Sequence, residues 1–510
     1  MSSFPYLSLL TVAPLLGAGV VAAVPKGKPQ LAKLIALGWS LAVLVLAAAM
    51  YAAFQVGGPR FQFRESYPWI PAWGTRLTLE ADGIALVMIA LIALLVPLVI
   101  LASWHDAGTR SVPTYFGLLL ALEFTMIGVF AAADVFLFYV FFEIMLVPMY
   151  FLIGSYGGAR RQYAAVKFFL YSLVGGLLML AALIGLWVVG RSALGHGTFD
   201  WHDLTRLTMG TGTERWLFLG FFLAFAIKAP FFPFHTWLPD AGGAAPAGAA
   251  ALLVGVLDKV GTFGILRYCL PLFPHASRYF APLALVLALV GVLYGALLAI
   301  GQNDLKRLVS YTSIAHFGFI GIGIFAFTTP AGTGAVLYMV NHGLATGLLF
   351  LVVGMLVNRR GSALVSDFGG AGKLVPVLAG VFLIAGLASL SLPGTSPFVS
   401  EFLVLVGTFA VNKAVAVIAT AGVILAAGYV LWMVQRTTQG ALNPALTAVE
   451  SMRKDISPRE VAVVAPLIAL ILLLGFNPKP VLDVINPAVQ ATFQQVGAVD
   501  PNPTVAEGGK

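Results

Sequence analysis

The chain has 510 residues, of which 60% are hydrophobic and only 10% charged, whereas about a quarter of a soluble domain is charged. Apolar runs of about 20 residues, each enough to cross a ~30 Å hydrocarbon core, recur along its length. The chain therefore reads as an all-α polytopic membrane protein. Its formal charge of +8 is spread over short connections, which fits membrane topology signals and excludes a nucleic-acid footprint.

The single cysteine, Cys269, excludes a disulfide framework, a thiolate iron–sulfur site and a CxxC redox pair. No Walker loop or GxGxxG turn opens a βαβ unit, so neither a nucleotide nor a flavin has a recognisable site.

In chain order, fourteen spans are predicted, at about 5–24, 31–55, 83–103, 112–132, 134–154, 163–190, 215–240, 247–270, 280–300, 306–328, 332–357, 374–409, 412–435 and 460–476. The first starts at Phe4 with no basic region before it, so it reads as a membrane helix and not as a cleavable signal. Residues 56–82, with Pro68, Pro71 and Gly74, read as an ordered extracytoplasmic loop or hairpin. Residues 437–459 read as a polar to amphipathic cytoplasmic segment, and the tail after Asn477, with Pro501 and Pro503, as flexible.

The odd-numbered connections carry sixteen lysines and arginines and the even-numbered ones nine. Basic residues collect on the cytoplasmic side, so both termini are expected to be extracytoplasmic.

Span seven contains KAPFFPFHTWLPD (Lys228 to Asp240), and the long span twelve contains LPGTSPF (Leu392 to Phe398). Proline removes a backbone donor and clashes with the preceding turn, so breaks are expected near Pro230–Pro233 and Pro393–Pro397. Broken helices persist at membrane depth only where protein or a wet cavity covers the freed backbone groups. A matched pair of them is the mark of an inverted-repeat transporter. The spacing of charges agrees: 173 residues separate Glu143 from His316, and again Lys228 from Glu401.

An offset of five spans inverts the second copy, which gives two inverted five-helix repeats, spans 4–8 and 9–13. The expected divisions are 1–111 (spans 1–3 and the extracytoplasmic loop), 112–270 (first repeat), 280–435 (second repeat) and 436–510 (amphipathic segment, span 14 and tail).

Eight ionisable residues lie inside spans: Glu123, Glu143, Lys228, Asp258, Lys259, His316, His342 and Glu401. A charge at the bilayer centre costs about 2.5–3.5 kcal/mol on insertion scales, so such residues are functional candidates by default. A low-dielectric surround disfavours the charged form of an ionisable group. A row of these groups can therefore exchange protons, with ordered water between them.

Structural alternatives stand beside this reading. Glu143 and Lys228 could form a static ion pair that fixes helix register. Asp258, next to Lys259, points about 100° away on a helix and reads as a local partner or boundary residue, as does Glu123. His235, just past the first break, could simply cap freed carbonyls. His105, His196, His202 and His275 fall in loops and read as solvated. The run AGGAAPAGAAA (Ala241 to Ala251) suits close helix packing.

Five long motifs are more specific: FYVFFEIMLVPMYFLIG, FAIKAPFFPFHTWLPDA, DLKRLVSYTSIAHFGF, NHGLATGLLFLVVGML and SDFGGAGKLVPV. Together, over roughly residues 80–435, they resemble the NuoM-type antiporter-like subunit of respiratory complex I. The resemblance implies a proton-translocating subunit of NADH:quinone oxidoreductase with fourteen helices and two inverted repeats. It places the family's charged axis on Glu143, Lys228, Lys259 (in VLDKVGTFGILRY), His316, His342 and Glu401 (in SPFVSEF). Glu123, His235 and Asp258 are secondary candidates.

The resemblance also implies no cofactor or metal in this chain, with FMN, iron–sulfur clusters and quinone in other subunits. It further implies partners among the membrane subunits of complex I, antiporter-like neighbours above all, and a multi-pass place in the inner or plasma membrane. Subunits of Mrp-type Na+/H+ antiporters share these motifs and are the alternative. The acid at Glu401, where sister subunits usually carry lysine, favours the NuoM type. Two departures stand out: Gly242 replaces a histidine in PDAGGAAPAGAAA, and GTSPFVSEF replaces the usual GLNGFVGEF.

Overall fold

The computed structural model describes residues 4–498 and 500. The chain opens with α1 (Tyr6–Ala22) and α2 (Pro29–Ala53). An antiparallel hairpin follows, β1 (Gln62–Ile70) paired with β2 (Thr75–Ala81). The hairpin turns at Gly74, whose φ of 70° lies in the left-handed region that glycine adopts without a Cβ penalty. A side chain there would also strike the Gly197 carbonyl.

Next come α3 (Gly83–Ala102), α4 (Val112–Ala131), α5 (Val135–Ile144), α6 (Leu146–Tyr156) and the long α7 (Arg161–Leu194). Side-chain caps set several starts. Asp82 accepts from Ala85 N, and Asp134 accepts from the N–H groups of Phe136 and Leu137, all at 3.0 Å. These bonds satisfy donors that a helix N-terminus leaves orphaned.

The expected single fifth span is instead interrupted at Met145, between α5 and α6. Pro148 has no N–H to offer the Ile144 carbonyl, and the sequence reading passed over that proline.

The expected seventh span is split into α8 (Thr211–Lys228) and α9 (Trp237–Ala244), and α10 (Ala247–Leu272) follows, buried along its whole length. Beyond it lie α11 (Pro274–Ile300), α12 (Leu305–Phe325) and α13 (Thr329–Arg360). The twelfth span is split into α14 (Pro376–Ser389) and α15 (Ser396–Phe409). Both breaks fall close to the expected prolines, with one difference: Pro397 lies inside the first turn of α15. Proline is tolerated in that turn, where its missing donor has no intrahelical partner anyway.

α16 (Lys413–Thr438), α17 (Pro458–Phe476) and α18 (Lys479–Gln495) complete the chain. Eleven segments among the described residues are long and apolar enough to cross a membrane, counting α5 and α6 as one. Spans one, seven and twelve are not among them: α1 is short, and the other two are halved. Of residues 437–459, the first two end α16 and the last two begin α17, and those between form only the short turns Pro444–Thr447 and Glu450–Arg453.

The tail is a correction. Residues 479–495 are the helix α18, with Val484, Ile485, Ala488, Val489 and Phe493 buried. That is a 3.6-residue stripe, and it packs on α13 and α3. Pro501 and Pro503 lie outside the described residues.

Candidate functional site

The breaks place the charged residues. In the first, Lys228 is the last residue of α8. The freed backbone is covered from within: Trp237 Nε1 donates to the Ile227 carbonyl at 2.8 Å. Phe231 N donates to the Ala226 carbonyl at 2.9 Å. His235 is not the cap. Its ring is buried, has no bond at Nδ1, and stacks on Phe232 with centroids 5.8 Å apart.

The Lys228 ammonium is fully buried with no hydrogen-bond partner among the described residues. It sits 4.9 Å from the Phe142 ring centroid and 5.7 Å from that of Phe168, close enough for cation–π attraction.

Glu143 lies near the end of α5, half-buried, with Oε1 against the bare Cα of Gly176 on α7. The static Glu143–Lys228 ion pair is absent, because no N···O distance between them falls within 4.0 Å. Glu123 on α4 is fully buried, and neither of its oxygens has a hydrogen-bond partner.

The second half of the site is a close succession of side chains. Leu253–Leu257 of α10 form a π-helical turn, a rare widening found mostly at functional sites. Just past it, Asp258, expected as a local partner or boundary residue, is the local partner of Lys259, with Oδ1 3.2 Å from Nζ. The ammonium also donates to the Val254 carbonyl and lies 2.6 Å from Nδ1 of His342 on α13.

The His342 and His316 rings are 5.0 Å apart, and His316 is 5.8 Å from the Tyr338 ring. Tyr338 OH donates to Glu401 Oε2 at 2.7 Å, and Ser391 Oγ donates to the same oxygen at 2.8 Å. The row therefore runs Asp258, Lys259, His342, His316, Tyr338, Glu401, and all six are buried.

Sequence reasoning missed Tyr338 and Ser391. Tyr338 is one turn before His342 and so shares its helix face, a signal that was available. Ser391 sits in the break itself with φ 61°, unusual for a residue with a side chain. No motif predicts that geometry. Asn341, also missed, supports the second break by donating to the Ser396 carbonyl at 2.7 Å.

The equal spacing of charges is not a structural equivalence. Lys228 ends the half-helix before its break, whereas Glu401 sits in the half-helix after its own.

Of the loop histidines, His105, His196 and His275 are exposed as expected, whereas His202 is partly buried with Nε2 2.7 Å from Glu80 Oε1. No cluster of three or more metal-ligating side chains occurs among the described residues. At Gly242 a side chain would meet Ser310 Oγ, so the bare position suits close packing of α9 on α12.

Residues 132–426 match the family described as NADH:quinone oxidoreductase/Mrp antiporter, transmembrane. NADH-quinone oxidoreductase subunit M of Mycobacterium tuberculosis is 47% identical, covering 99% of this chain and 97% of its own length. Among solved structures, a chain of respiratory complex I from Thermus thermophilus superposes with a TM-score of 0.86 at 31% identity. That match covers 96% of this chain and 100% of the other. A chain of the Mrp complex from Dietzia sp. gives 0.85 at 21% identity, covering 97% and 100%, a likeness of fold alone.

Proposed function

The chain belongs to the NADH:quinone oxidoreductase/Mrp antiporter transmembrane family, and from that premise we propose how its buried row works. It is a proton-translocating membrane subunit of NADH:quinone oxidoreductase, associated with other antiporter-like membrane subunits. The Mrp-type antiporter is the less supported reading, because that likeness is one of fold whereas the likeness to subunit M extends to 47% of residues. FMN, iron–sulfur clusters and quinone belong to other subunits of the complex, and this chain supplies proton transfer without a redox centre.

The observation that carries the reading is the close succession from Lys259 to Glu401: hydrogen bonds join Lys259 to His342 and Tyr338 to Glu401, and the His342, His316 and Tyr338 rings lie side by side between them, with His342 Nε2 and His316 Nδ1 unpaired among the described residues. Lys259 releases a proton to His342 Nδ1. The two rings, with water between their unpaired nitrogens, and the Tyr338 hydroxyl relay it to Glu401, with Asp258 balancing the charge on Lys259. Lys228 feeds this row from the first half. Its state follows Glu143: an approaching carboxylate holds the proton on the ammonium, and the separated arrangement lets it pass through water toward Asp258 and Lys259.

The two halves form inverted five-helix repeats, 4–8 over residues 112–270 and 9–13 over 280–435. The termini face the extracytoplasmic side, in keeping with the excess of basic residues in odd-numbered connections.

The test is proton pumping by the assembled complex in vesicles, read with a pH-sensitive dye during NADH oxidation. Glu143→Gln should lose most pumping, and Glu143→Asp, which keeps a titratable group, should retain more. Normal pumping by Glu143→Gln would make the residue a structural polar contact.

A further inference from the structure

Away from the charged row, a recess of about 430 Å³ opens on the flank of the molecule beneath the hairpin tip. Its wall is formed by Trp73 from the hairpin, Phe136 and Tyr139 from α5, and Leu183, Ile184 and Trp187 from α7. The wall is apolar, and one of its two indole donors is turned to the backbone: Trp187 Nε1 donates to the Trp73 carbonyl at 2.8 Å. Trp73 and Ile184 are exposed at the rim.

One turn beyond Trp187, Arg191 holds its guanidinium 5.3 Å from the Trp187 ring centroid. Arg191 is exposed and makes no ion pair among the described residues. Tryptophan and tyrosine collect at the membrane–water interface, and an arginine near a helix end carries its charge out to the headgroup layer. The recess therefore lies just inside the interface, with a free cation at its mouth.

We propose that this recess is a binding site for an anionic phospholipid, with an acyl chain lying against Trp73, Phe136 and Ile184 and the phosphate paired with Arg191. A docked helix is the wrong shape. At about 10 Å across and 5.4 Å per turn, a helix would fill the whole volume with a single turn, whereas a flexible hydrocarbon chain follows the recess along its length. An anionic headgroup is favoured over a zwitterionic one because it brings no choline cation to compete with Arg191 for the phosphate, and Arg191 has no ion-pair partner among the described residues. Tyr139 lies one turn before Glu143 on α5, so a chain lying here points its end toward that half-buried carboxylate.

The test is photo-crosslinking in the assembled, purified complex. Phosphatidylglycerol and phosphatidylcholine, each with a diazirine in one acyl chain, are exchanged in and adducts are mapped by mass spectrometry. Adducts on Tyr139, Leu183 or Ile184 are expected, several-fold more abundant with phosphatidylglycerol. Arg191→Gln should reduce the phosphatidylglycerol adducts to the phosphatidylcholine level, and Ile184→Trp, which fills the recess, should lower both. No adduct at these residues, as when a neighbouring subunit covers the recess, would overturn the proposal. So would equal labelling by the two lipids, or phosphatidylglycerol labelling unchanged in Arg191→Gln.

Discussion

Glu401 accepts two hydroxyl bonds on one oxygen, from Tyr338 and Ser391. A hydrogen bond to a charged group contributes about 1.5–3 kcal/mol, and about 1.4 kcal/mol is a factor of ten. Tyr338→Phe keeps the ring beside His316 and removes only the bond and the relay hydroxyl. It should lower proton pumping of the assembled complex about tenfold or more while assembly stays normal. Pumping at the parent rate would take Tyr338 out of the row.

The charged members of the site were legible in the sequence because a charge in an apolar run is costly and so stands out. Tyr338 and Ser391 were not, since a neutral hydroxyl costs little in such a run and only the fold shows what it touches. Asp258 was legible as a local partner of Lys259 from their adjacency, but the π-helical turn at Leu253–Leu257 just before the pair was not.

Between elements, α8 and α10 meet where Gly261 faces the backbone of Ala229 just past Lys228. A Cβ at Gly261 would meet Ala229 N at 2.5 Å, with the Phe225 carbonyl oxygen equally near. Neither backbone atom can yield as a side-chain tip would. Close backbone approach through small residues is how membrane helices associate, and here it also sets the gap between Lys228 and the Asp258–Lys259 pair. Gly261→Val should push α10 away from α8. Overpacking of this kind costs about 1–3 kcal/mol or more. Detergent-extracted complex carrying it should lose pumping and melt at a lower temperature, whereas unchanged pumping and melting would refute the contact.

At this scale the helix breaks were legible through their prolines, while the interruption at Met145 and the helix α18 were not. Pro148 was read as part of an apolar run. In α18 the low hydropathy and Pro487 masked the stripe from Val484 to Phe493.

For the whole molecule, the distribution of basic residues and the buried row make separate claims. Topology is checked at Arg64, which is partly exposed on the hairpin and paired with Asp200 at 3.0 Å. A cysteine put in place of Arg64 should react with an impermeant maleimide added to intact spheroplasts, and labelling confined to inverted vesicles would reverse the orientation. The central claim is that protons cross through the row, and Lys259 is its junction, touching both Asp258 and His342. The most direct measurement is the number of protons pumped per NADH oxidised by assembled complex carrying Lys259→Met, which keeps the bulk of the side chain and removes its proton. The ratio should fall well below that of the parent. A parental ratio at normal assembly would show that protons cross elsewhere.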